Sequence, residues 1–136
     1  MNASLRQAWV RAALLLAVVY LLVGRVFALP ADHVHAWRLA AWMVSGVAYA
    51  AHVAYEHFRL RNSPRVTAMH VAVAVAMGAF ALAVAGMIHS LSTPAGIRPA
   101  WLLAMVIWPA ATALPAFLGA LVAGAMLPRR QRTADR

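Results

Sequence analysis

Three side chains that can exchange a proton lie close together once helical geometry is applied to the sequence. His52 and Glu56 are four residues apart, and His70 follows a polar connector at 59–65. Imidazole titrates near neutral pH, and a carboxylate one helical turn away can fix its tautomer or take its proton. His52, Glu56 and His70 therefore predict a proton-accepting cluster that handles a transported proton, ion or small solute.

Further polar residues extend this site along one face of the helix predicted over 36–58. At about 100° per residue, the members of this polar stripe fall within a sector roughly 60° wide. Ionisable groups cost about 2.5–3.5 kcal/mol at the middle of a membrane helix, so lipid is not expected to face the stripe. It should face the bundle interior, a subunit interface or a water-filled cavity. Its members are Arg38, Ser45, Tyr49, His52 and Glu56.

The same histidines leave metal or haem binding open. Two imidazoles and one carboxylate can hold Zn²⁺ or non-haem iron, and haem b needs two histidines at equal depth on facing helices. In an antiparallel hairpin of segments 36–58 and 66–89, His52 matches His70 in depth, and His35 matches His89. Neither spacing fits a known metal motif, so the cofactor stays unknown: none, haem b or a divalent metal. A second, weaker metal set comprises His33, His35 and His89.

Residues for covalent or phosphate chemistry are scarce. The sequence has no Cys, which removes thiolate nucleophiles and Cys-ligated metal centres. There are only three acids, Asp32, Glu56 and Asp135, and only Glu56 falls within an apolar segment. No Gly-rich phosphate loop or nucleophile–base arrangement is present. The sequence favours a protein that is not an enzyme.

Composition specifies the environment in which these side chains must be positioned. Of the 136 residues, 65% are hydrophobic and 11% are charged, and the mean hydropathy is +0.75. A soluble domain needs roughly a quarter of its residues charged to cover its surface. A disordered chain would contain far less apolar surface. The composition excludes both classes and predicts an integral membrane protein.

Four apolar segments are long enough to cross a bilayer, since a ~30 Å hydrocarbon core takes roughly 20 helical residues. They cover 9–29, 36–58, 66–89 and 101–127, and they are rich in Ala, Leu and Val without strand-like alternation. We expect an all-α fold: a single membrane domain over 1–136, built as a four-transmembrane-helix bundle with up-down-up-down order. A basic tail at 128–136 follows the last helix.

Arginine counts predict the orientation, because cytoplasmic loops of membrane proteins carry an excess of positive charge. One side of the predicted bundle carries nine arginines and the other three. Both termini are therefore expected in the cytoplasm, with the chain in the inner (plasma) membrane. The lipid bilayer is the expected partner for this charge, and the scattered arginines do not favour nucleic acid. The nine are Arg6, Arg11, Arg59, Arg61, Arg65, Arg129, Arg130, Arg132 and Arg136.

Small residues follow one line of the third segment at helical spacing. Such residues let helix backbones approach closely in lipid, which predicts a packing seam. The seam and the polar stripe together offer more contact surface than one small bundle requires, so we expect a homo-oligomer or a place in a larger membrane complex. The seam comprises Ala74, Gly78, Ala81 and Ala85.

Three functional hypotheses remain. The first is a small homo-oligomeric transporter or channel-like protein that moves protons, ions or a small solute past the His/Glu-lined face. The second is a non-catalytic accessory or assembly subunit whose polar stripe docks a partner helix. The third is a haem- or metal-binding redox subunit that uses the same histidines.

Overall fold

Four α-helices form nearly all of the chain that the computed structural model describes, which is residues 3–30, 32–92 and 99–127 without the side chains of residues 3–6. A π-helical turn continues the second helix, and no strand occurs in these residues. The prediction of an all-α chain with four helices is confirmed; the basic tail predicted at 128–136 lies outside the described residues. The helices are α1 (Ala3–Val26), α2 (Val34–Ala54), α3 (Pro64–Leu91) and α4 (Pro99–Met126), and the π turn is Tyr55–Arg59.

All four described helices begin before the predicted apolar segments, because polar residues at the ends still satisfy helical geometry. The α3 start illustrates this: Ser63 is extended, its hydroxyl oxygen accepts from the Val66 amide at 3.4 Å, and Pro64 occupies the first helical position. Ser before Pro is a strong helix start, since the hydroxyl caps a free amide and proline has no amide to satisfy. The helix thus begins two residues before the predicted apolar segment.

Three of the described helices are long and apolar enough to cross a membrane: Gln7–Val26, Pro64–Leu91 and Pro99–Met126. They indicate a membrane-embedded protein. The α2 helix is not among these three, because its sequence carries histidines, Arg38, Ser45 and Tyr49 among its alanines and valines.

The α3 helix packs between α1 and α4, and glycine makes the approach to α1 possible. A Cβ atom on Gly78 would lie 2.8 Å from the Tyr20 Cβ and 3.3 Å from the Ala17 carbonyl oxygen. Of the predicted seam, Ala74 and Gly78 are buried, whereas Ala81 and Ala85 are half-buried. The tightest point of the seam is therefore occupied by α1 of the same chain.

The buried apolar core lies where the end of α2 meets the start of α3 and the end of α4. It comprises Val53, Ala68, Val71 and Ala120, with the Tyr49 and Phe117 rings packed against it. This core positions the last turn of α2, where His52 and Glu56 lie.

Candidate functional site

The π-helical turn at Tyr55–Arg59 buries Glu56 at the end of α2. The Leu60 amide donates to the Tyr55 carbonyl and the Asn62 amide to the Glu56 carbonyl, both at 3.2 Å. These bonds span five and six residues instead of four, so the helix end is widened. π turns are rare and occur frequently at functional sites.

The chain reverses immediately after this turn. Arg61 adopts the left-handed conformation with φ 53, a geometry in which Gly or Asn usually ends a helix. Ser63 and Pro64 then start α3. The short reversal brings Asn62 and His70 back onto the Glu56 side chain.

The Glu56 carboxylate is surrounded by side chains from both arms of this hairpin. Its Oε2 accepts from Asn62 Nδ2 and lies 2.9 Å from His70 Nδ1. Its Oε1 lies 3.5 Å from His52 Nε2, within ion-pair range but without hydrogen-bond geometry. We call these four residues, together with Trp9, the Glu56 cluster.

Burial within the cluster is graded. The side chains of Glu56 and His52 are 0% exposed, whereas that of His70 is 12% exposed. Of the three titratable members, only His70 has surface through which a proton can be exchanged with the surroundings. His70 therefore connects an otherwise enclosed carboxylate to the outside of the chain.

The contact between His70 and Glu56 can hold one proton in two positions. An ionised carboxylate only accepts hydrogen bonds, so His70 Nδ1 then carries the hydrogen; a protonated carboxyl group would donate to Nδ1 instead. No arginine lies within ion-pair distance of Glu56 among the described residues. The charge is thus compensated by groups that themselves exchange protons or donate hydrogen bonds.

Trp9 covers the cluster from α1. Its ring centroid lies 4.2 Å from that of His70, and the two planes differ by 7°, so the rings are stacked. Its indole Nε1 is buried and has no hydrogen-bond partner, and the same holds for both His52 ring nitrogens and for Glu56 Oε1. A buried polar atom without a partner costs about 1–3 kcal/mol. Buried polar atoms of this kind occur at sites of strain or catalysis and where a water or ion completes the hydrogen bonding.

The polar stripe predicted on α2 faces inward only over its second half. The Tyr49 hydroxyl donates to the Ala116 carbonyl on α4 at 2.8 Å. Ser45 is half-buried, and Arg38 is exposed. On α1, the Tyr20 hydroxyl is buried and has no hydrogen-bond partner among the described residues.

The residues of the second predicted metal set do not form a metal site in the described part of the chain. His33, His35 and His89 are all exposed. Among the described residues, no three His, Asp or Glu side chains are placed so that they could share a metal ion. His52 and His70 approach different oxygens of one carboxylate, and this arrangement makes hydrogen bonding, rather than ligation, their described chemistry.

Sequence reasoning missed two polar residues of the site: Trp9 and Asn62. Trp9 looks like an interfacial anchor because it lies at the end of an apolar segment. Asn62 had a usable signal, because an amide in a tight reversal directly after a buried acid can reach back to it.

No protein-family model, curated protein or solved structure matches this chain.

Proposed function

We propose that this protein is a small multi-pass membrane transporter or channel-like protein that moves protons, ions or a small solute through the Glu56 cluster. The cluster binds and releases a proton through the Glu56–His70 contact, and Tyr49 lies three residues before His52 on the same helix. Protons are the simplest cargo, because Glu56, His52 and His70 can each bind and release one.

One observation carries the proposal: Glu56 is fully buried beside two histidines at the end of helices suited to a bilayer. Ionisable residues within membrane helices are costly and commonly mark ion pathways or proton relays. A structural ion pair would be better served by arginine, which forms a bidentate pair with a carboxylate and stays charged. Histidine partners favour a group whose protonation changes.

Interhelical contacts support an up-down-up-down bundle of four spans. Trp9 meets His70 and Gly24 meets Leu82, so residue numbers rise together along α1 and α3. Across α3 and α4 the order is opposite, since Gly86 faces Trp101 near one end and Gly124 faces Pro64 near the other. With the π turn, α2 is also long enough to cross a bilayer. The contacts within the cluster reduce the free-energy cost of placing its polar groups in the membrane.

Orientation and assembly complete the proposal. The arginine excess places both termini and the α2–α3 connector in the cytoplasm, with the chain in the inner membrane. Arg59, Arg61 and Arg65 are exposed around that connector, as interfacial cations should be. We also propose a homo-oligomer, because the outer half of α2 is left uncovered by its own chain. A cytoplasm-dependent reporter fused to the C-terminus that stays silent in a well-expressed fusion would overturn the orientation.

Flux measurement in proteoliposomes tests the function. Purified protein is reconstituted with an internal pH dye, and a K⁺ diffusion potential drives proton entry; Na⁺, K⁺ and ammonium gradients are then tested in the same vesicles. We expect protein-dependent acidification that fails in a Glu56→Gln variant. Vesicles with no protein-dependent flux for any of these ions would contradict the proposal.

An accessory or assembly subunit is the second candidate, and the exposure of α2 favours it. None of the residues from 34 to 51 is buried by the chain, and Arg38 projects from this stretch. A partner helix that covers this face would explain why a polar residue is presented there. A photo-crosslinker at Trp42, which is 79% exposed, distinguishes the candidates in cells. An adduct with one different membrane protein supports the subunit, whereas adducts between copies support the homo-oligomer.

The redox alternative has a direct test. A visible absorption spectrum and metal analysis of the purified protein reveal haem b or a stoichiometric divalent metal. Histidine-dependent haem absorption, lost on replacement of His52 or His70, would support the redox subunit over the transporter.

A further inference from the structure

The Trp9–His70 stack is a contact between the beginning of α1 and a side chain needed for the proposed proton exchange. The planes are 7° apart with centroids at 4.2 Å, whereas His70 makes its hydrogen bond to Glu56 through the ring edge, at Nδ1. The imidazole is therefore constrained in two independent ways, by a planar neighbour and by an acceptor at its edge. Only with both constraints is the direction of Nδ1 defined.

We propose that Trp9 is a positioning residue of the Glu56 cluster, which keeps the His70 imidazole turned so that Nδ1 faces Glu56 Oε2. The inference rests on the proposed function, because the reason to hold this ring is the proton that it passes. An imidazole ring can rotate about its bond to Cβ, and a flat aromatic surface against one face restricts that rotation. Trp9 acts through His70 and does not itself exchange the proton.

Few other groups around the His70 imidazole can hold it in this orientation. Within the described residues, His70 contacts the Glu56 carboxylate at its edge and the indole on its face, and His52 reaches only the other carboxylate oxygen. The α4 helix contains no titratable side chain. Arg11 on α1 is exposed. Of the described contacts of His70, those with Glu56 and Trp9 define the direction of its ring.

Nuclear magnetic resonance of protein with ¹³C-labelled histidine tests this directly. An imidazole stacked on an indole has its ring protons shifted upfield by the aromatic ring current. We expect the His70 signals upfield of those of the exposed His33, His35 and His89. Trp9→Leu should remove this shift and reduce proton flux in vesicles, while Trp9→Phe should keep part of the shift and restore flux. Trp108→Leu is the matched control, because Trp108 is 54% exposed on α4, and it should change neither measurement.

The two measurements separate this inference from the proposed function. Wild-type His70 signals that match those of exposed histidines, or that stay the same in Trp9→Leu, would overturn the positioning role. Normal flux in a folded Trp9→Leu variant would overturn it as well. Upfield signals that depend on Trp9, in a protein with no flux of any ion, would uphold the positioning of His70 and refute the transport proposal instead.

Discussion

Replacing Glu56 with Gln removes a proton-exchanging group while keeping the shape of the side chain. In the structure, the carboxylate accepts from Asn62 and His70 through Oε2 and faces His52 through Oε1. A Gln oxygen at the Oε2 position can still accept from both donors, and its NH₂ group would point at the His52 ring nitrogen. The amide therefore fits the hydrogen-bonding pattern without the charge.

The free-energy change can be estimated from these contacts. Two hydrogen bonds lose their charge assistance, since bonds to charged groups contribute about 1.5–3 kcal/mol and neutral ones about 1 kcal/mol. Against this, burying a carboxylate costs several kcal/mol that the amide avoids. We expect Glu56→Gln to change the free energy of unfolding by no more than about 2 kcal/mol. Glu56→Ala should cost about 2–6 kcal/mol, because it leaves Asn62 and His70 unpaired at about 1–3 kcal/mol each.

The assay combines proton flux in vesicles with thermal unfolding in detergent. Glu56→Gln should abolish flux and melt near the wild type, whereas Glu56→Ala should lose both flux and stability. Asp32→Asn is the matched control, because it removes the same charge from an exposed acid and should preserve both. Normal flux in the Gln variant would refute the relay, and equal melting of the Ala variant and the wild type would refute the structural role of the cluster.

Three further substitutions test the helix contacts and the reversal. Gly78→Leu should lower the free energy of unfolding by about 1–3 kcal/mol or more, because its Cβ would lie 2.8 Å from that of Tyr20. The control is Gly46→Ala, since a Cβ at Gly46 would have nothing within 4 Å. This change should instead add about 0.5–1 kcal/mol through helix propensity. Equal thermal shifts for the two would contradict the α1–α3 packing. Arg61→Gly should raise the free energy of unfolding, measured by denaturation, by up to about 1 kcal/mol, since a left-handed φ costs most residues about 1–2 kcal/mol. A loss of stability would show instead that the arginine side chain makes a stabilising contact. Tyr49→Phe removes a hydroxyl that donates a hydrogen bond to α4. We expect it to lower the free energy of unfolding by about 1 kcal/mol and to reduce flux. An unchanged melting temperature would contradict the contribution of that hydrogen bond.

The sequence predicts the helices and one side of the cluster because these depend on local spacing. Apolar segment length identifies four helices, and the four-residue spacing places Glu56 one turn beyond His52. The antiparallel pairing of the second and third segments brings His70 to the same depth as His52, and the structure places both histidines beside Glu56. These inferences need only helical periodicity and a short connector.

Other features depend on packing between distant segments, which periodicity does not contain. From the sequence, the seam around Gly78 could equally pack against another copy of the chain. In the structure, its tightest contact is with Tyr20 on α1. The stacking of Trp9 on His70 requires knowing which face α1 presents to α3. The π turn at Tyr55–Arg59 rotates the end of α2 away from the regular helical angle. Substituting Gly78 to test oligomerisation would therefore disturb the single chain first.

The position of the cluster at a hairpin base has a consequence for how the protein enters its membrane during synthesis. Glu56 and its polar partners from His52 to His70 lie within 19 residues of sequence, and short loops close at little entropic cost. The acid can thus gain its hydrogen bonds as soon as the α2–α3 hairpin forms, when Trp9 has already been made and α4 has not. A charged helix that inserts alone would bear the full cost of its carboxylate. Here α2 and α3 can insert as a pair, with the cost of the Glu56 carboxylate already reduced by its hydrogen bonds. The α4 helix then packs its apolar side chains against a hairpin in which that carboxylate already has its partners.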